Sequence, residues 1–105
     1  MAKRVVVWTH TAAKQRRYIL KYWAKRNGST KYAEKLIKLT ADRVNVILKF
    51  PNSFKETSHP NTRVAAMGHF SIFYKVTESQ LIITAFWDNR QDPKKLLDLL
   101  NENVA

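Results

Sequence analysis

The chain has 105 residues, no cysteine, and a formal charge of +11 from 19 Lys and Arg against 8 Asp and Glu. That length supports one hydrophobic core, and the missing thiols exclude a disulfide framework, a thiolate metal site and a cysteine nucleophile. The apolar stretch from Val5 to Trp8 is too short for a signal peptide and no run approaches the ~20 residues that span a bilayer, so a cytoplasmic protein of one domain, 1–105, without a membrane partner is expected.

Lys3 to Trp8 is β-branched with an aromatic end and reads as a short buried strand. From Ala12 to about Arg26 the period becomes helical, with Ala12, Ile19, Leu20 and Trp23 as the apolar stripe and Asn27-Gly28 as a left-handed stop. Ser29 or Thr30 can cap a second helix, in which Ala33, Leu36, Ile37, Thr40, Val44 and Ile47 recur at spacings of three and four and Pro51 forces an end near Phe50. Residues 52–62 are turn-rich and read as a loop.

Three strands follow. Arg63 to Met67 is the first, Gly68-His69 a tight connection, and Phe70 to Val76 the second, with Phe70, Ile72, Tyr74 and Val76 on one face and Ser71, Phe73 and Lys75 on the other. Thr77-Glu78-Ser79 turns into a third strand, Gln80 to Trp87. Asp92-Pro93 opens a short leucine-rich helix to about Asn101. The expected fold class is α+β in the order β-α-α-β-β-β-α, a two-helix hairpin packed on a small antiparallel sheet.

Charge is uneven along this plan. Residues 1–50 carry 13 basic and 2 acidic side chains, whereas residues 51–105 carry 6 of each. A one-sided positive field favours RNA, DNA, the ribosome or an acidic protein partner; a solubilising surface is the plainer alternative.

Several segments carry a resemblance. Val7-Trp8-Thr9 through Ala12, Phe50-Pro51, the run Gly68-His69-Phe70-Ser71-Ile72-Phe73-Tyr74-Lys75-Val76 preceded by Arg63, and Phe86-Trp87-Asp88-Asn89-Arg90-Gln91-Asp92-Pro93 together resemble the RelE/ParE superfamily of toxins over about residues 5 to 100. The resemblance implies the toxin half of a type II toxin–antitoxin pair, with a cognate antitoxin as partner. It also implies one of two activities: ribosome-dependent cleavage of mRNA, the first reading, or poisoning of DNA gyrase by protein binding, the alternative. A non-toxic basic nucleic-acid-binding module is a third reading.

Metal-free RNA cleavage needs a base for the 2′-hydroxyl, cations for the phosphorane and an acid for the leaving oxygen. The resemblance points to Arg63 and Arg90 as the cations; either can instead pair with a nearby carboxylate, Arg90 with Asp88 or Asp92. His69, and less so His59, can move a proton near neutrality, although loop histidines are commonly just solvated. His10 fits a local hydrogen-bonding role. Lys55, Ser71, Lys75 and Trp87 are candidate contacts to RNA or another target, Trp87 being the aromatic expected to stay free for stacking. Lysines 14, 21, 25, 31, 35 and 38 form a cluster suited to phosphate. Two departures weaken the nuclease reading: Ser71 stands where many RelE-like nucleases have arginine, and Gln91 to Ala105 lacks the Tyr or His-Tyr pair they tend to place there. No histidine pair has metal-ligand spacing, so neither a metal nor another cofactor is expected.

Overall fold

Thr9 is where strand becomes helix. In the computed structural model, which describes residues 3–91 and Lys94, Val5–Trp8 forms β1 and His10–Asn27 forms α1. The Thr9 hydroxyl accepts the N–H of Ala12 at 3.1 Å, satisfying one of the orphan donors of the first turn. At the other end Gly28 adopts φ 61°, and the N–H groups of Gly28 and Ser29 donate to the carbonyls of Lys25 and Ala24. This paired closure needs a left-handed residue, which glycine takes without a Cβ penalty.

α2 spans Lys31–Lys49 and stops at Phe50, one residue before Pro51. Ala33, Leu36, Thr40, Val44 and Ile47 are buried, and Thr40 keeps its hydroxyl satisfied by donating to the Leu36 carbonyl at 2.7 Å. Ile37, expected in this stripe, is instead 42 % exposed. It lies one position round from Leu36, about 100° away, where the helix has already turned toward solvent. Thr30 occupies the cap position without a side-chain bond to the backbone; the Ser29 hydroxyl accepts the Lys31 N–H instead.

The sheet has five strands in the order β1-β5-β4-β3-β2, with β2 at Lys55–Glu56, β3 at Arg63–Met67, β4 at Phe70–Val76 and β5 at Gln80–Asp88. Two features correct the expectation. β1 lies parallel to β5, so the sheet is mixed rather than wholly antiparallel, and the segment read as loop contributes the two-residue edge strand β2. β1 is also less buried than expected, with Val5 63 % exposed, because it is an edge strand with one neighbour. The β3–β4 hairpin has the expected limits, and Gly68 (φ 62°) supplies the positive φ at the first position of its turn.

Phe70, Ile72, Tyr74, Leu81, Ile83 and Phe86 face α1 and α2 and make the core with Ile19, Leu36 and Ile47. Between β4 and β5 the register shifts: Phe73 pairs with Ala85 but Tyr74 with Ile83, leaving Thr84 as the extra residue. This shift keeps Phe86 on the same face as Leu81 and Ile83. On the opposite face Phe73, Ala85 and Trp87 form a second small buried cluster with Val64. The helix expected from Pro93 to about Asn101 lies outside the described residues, save Lys94.

Candidate functional site

β4 separates the two expected arginines. Arg63 pairs across the hairpin with Tyr74, while Arg90 follows Asp88, which pairs with Phe70. Phe70 and Tyr74 are four residue steps apart along the strand, about 13 Å at the usual rise. Arg63 therefore belongs to one end of the sheet and Arg90 to the other.

At its own end Arg63 is a structural tie. Its Nη1 donates to the Phe54 carbonyl at 2.7 Å and its Nη2 to Glu56 Oε1 at 3.3 Å, drawing the chain after α2 onto the sheet. Beneath it the Tyr74 hydroxyl donates to the Pro51 carbonyl at 2.7 Å, and burial pushes that phenol above its ordinary value against the opposing pull of Arg63. A groove of ≈ 410 Å³ opens beside them, lined by the turn from Thr57 to Thr62 and by His59. The histidine brought to Arg63 is thus His59 and not His69.

At the opposite end Arg90 grips Asp88. Nε donates to Oδ1 at 2.8 Å, Nη2 to Oδ2 at 2.7 Å, and the Arg90 backbone N–H also donates to Oδ1 at 3.0 Å. The Arg90 hydrogen bonds hold the Asp88 carboxyl below its usual range although burial opposes them, and Asp88 in turn raises Arg90. The guanidinium sits 4.9 Å from the Trp23 ring centre and 5.9 Å from that of Phe70, so it is sandwiched against aromatic faces as well. His69 is exposed in the adjacent turn; its carbonyl accepts the Asn89 N–H at 2.8 Å and its ring acts electrostatically on Asp88.

The other expected contacts lie on the opposite face or at the edge. Ser71 is buried, opposite Trp87 and Ala66, and donates its hydroxyl to Asn89 Oδ1 at 2.8 Å. Trp87, expected to be free for stacking, is 5 % exposed, because strand alternation turns it into the cluster with Phe73 and Ala85. Lys55 is exposed on the edge strand opposite Val64, and Lys75 is half-buried opposite Ile82. His10 is exposed in the first turn of α1. Among the described residues no three His, Asp or Glu side chains come together in a way that could hold a metal ion, and no helix is long and apolar enough to cross a membrane.

One assembly was not foreseen in the sequence. Trp23 meets Tyr22 and Tyr32 edge-on, each at 5.2 Å between ring centres, while Arg26 lies 5.7 Å from its centre and donates to the Tyr22 hydroxyl at 3.1 Å. With Arg90 on the same ring, this makes the wall of a groove of ≈ 350 Å³ that includes Tyr18, Ile19 and Gln91. The spacing of Tyr18, Tyr22 and Arg26 at i, i+4, i+8 was the available signal.

Comparison with known proteins fits this geometry into a family. A chain described as "Chromosomal ParDE TA system from P. aeruginosa" is similar at a TM-score of 0.70 and 18% identity, over 80% of this chain and 94% of that one, a likeness that shows a shared fold. No curated protein sequence matches. The family model "ParE toxin of type II toxin-antitoxin system, parDE" matches residues 6–93, from the second residue of β1 past Arg90, and on that match the chain belongs to the ParE toxin family.

Proposed function

We propose that this chain is the toxin of a type II toxin–antitoxin pair and that it acts by binding its target, DNA gyrase, rather than by cutting RNA. The observation that carries the choice is the separation of Arg63, Arg90 and Ser71. A phosphoryl-transfer site needs its base, acid and cations within hydrogen-bonding reach of one phosphate. Here the two arginines sit at opposite ends of β4, each committed to a carboxylate, and Ser71 is buried on the face away from both. A protein-binding poison needs no such convergence. Family membership supports the gyrase target, because the resemblance to ParE-like toxins implies it, and supports an antitoxin as the natural partner.

Regulated expression in bacterial cells tests the reading. DNA synthesis should stop before protein synthesis in pulse-labelled cells, and co-expression of a cognate antitoxin should restore growth. Arrest of protein synthesis first, with mRNA cut in the ribosomal A site, would favour the nuclease reading instead.

A further inference from the structure

α1 contains neither Asp nor Glu, and Lys14, Arg17, Lys21, Lys25 and Arg26 are all exposed along it. At 100° per residue these five fall within about half of the helix circumference, and the axial steps between them are multiples of 1.5 Å along a row about 18 Å long. Two aromatic side chains interrupt the row on the same side: Tyr18 is 63 % and Tyr22 44 % exposed. Tyr22 is braced by Arg26 and Trp23, and the groove they line opens at the C-terminal half of the row.

We propose that this face of α1 docks single-stranded DNA, the cations following successive phosphates and Tyr18 and Tyr22 stacking on bases, with one base seated in the groove toward Trp23. Charge complementarity selects a polyanion, since no acidic side chain on α1 competes for the cations. Exposed rings interleaved with the charges select nucleobases over a merely acidic peptide, because every base offers a π-face to stack. A groove of ≈ 350 Å³ is of the size that admits a small planar ligand. RNA gains no selective contact here, since the row is solvent-exposed and encloses no pocket that would distinguish a 2′-hydroxyl from deoxyribose. The site is separate from the Arg63 groove and does not depend on the target of the toxin.

Fluorescence anisotropy with a labelled oligothymidylate and the purified full chain tests the proposal. Binding should weaken with salt, and Lys21→Ala with Lys25→Ala should lower the slope of log K against log[salt] by about 1.4. Tyr18→Ala should loosen binding on the order of 5- to 100-fold, the range for losing one stacked base, and Tyr18→Trp should restore it. Circular dichroism melting confirms that each variant is folded. Lys35→Ala with Lys38→Ala removes the same charge from α2 and should leave the slope unchanged. Equal losses from both lysine pairs would overturn the site, as would no binding, tighter binding of oligouridylate, or tighter binding of polyglutamate at equal charge.

Discussion

Arg90 and Asp88 close a small loop at the end of β5, joined side chain to side chain at 2.8 and 2.7 Å and again through the Arg90 backbone N–H at 3.0 Å. The carboxylate is nearly buried and the guanidinium half-exposed, so the pair anchors the chain where it leaves the sheet while Arg90 covers Trp23. Replacing Asp88 by Asn should cost about 1–2 kcal/mol at neutral pH, the range for hydrogen bonds to a charged group reduced by the exposure of Arg90. The pH dependence has a definite sign. Asp88 is depressed in the fold, so its contribution is present above the unfolded value of about 3.9 and is lost as pH falls through the lower folded value. Urea melts of wild type and Asp88→Asn should therefore differ at pH 7 and converge in acid.

Gln15 performs a different service for β5. Pairing of β1 with β5 ends at Trp8 and Ile83, and beyond it the Phe86 N–H is received by Gln15 Oε1 at 2.9 Å. Gln15→Met keeps the length but removes the acceptor, and should destabilise by about 1–3 kcal/mol in thermal or denaturant melts, as for an orphaned buried donor.

Ser71→Arg addresses the position at which the sequence departs from the nuclease pattern. The serine is 7 % exposed and bonded to Asn89, so an arginine must displace that bond and push into the Phe73–Trp87 cluster. A loss of about 1–3 kcal/mol is expected from overpacking. Primer extension on programmed ribosomes should show no new cleavage.

Arg63→Ala combined with His69→Ala separates structural from catalytic roles. The arginine ties Phe54 and Glu56 to the sheet, and His69 lies in a turn at the far end of the hairpin. Toxicity in a growth assay should persist, with stability lower by about 1 kcal/mol for the lost hydrogen bonds. A fall in toxicity beyond tenfold, with the protein folded, would count against the binding mechanism.

Much of this architecture was legible in the residues. The β3–β4 hairpin followed from alternation around Gly68, α2 from the three- and four-residue steps through Ala33, Leu36, Thr40, Val44 and Ile47, and α1 from the apolar stripe of Ala12, Ile19 and Trp23. The direction of β1 was not, because pairing Val5–Trp8 beside Gln80–Ile83 depends on where two helices return the chain, which no local pattern encodes. β2 escaped because Lys55 and Glu56 have no apolar alternation and form only a two-residue strand, both of them exposed. The site was less legible still. The resemblance pointed to Arg63 and Arg90 one by one, but their separation along β4 and the burial of Trp87 and Ser71 are set by register, which a one-residue shift would invert. Trp23, read as core, proved to be the ring on which Arg26 and Arg90 converge.

The most direct test is to present the purified toxin with both targets in parallel: gyrase with supercoiled plasmid, and ribosomes programmed with a defined mRNA. Gyrase supercoiling should be inhibited and cleaved DNA should accumulate at toxin concentrations that leave the mRNA intact. Cleavage of the mRNA in the A site, with gyrase unaffected at the same concentrations, would contradict gyrase as the target.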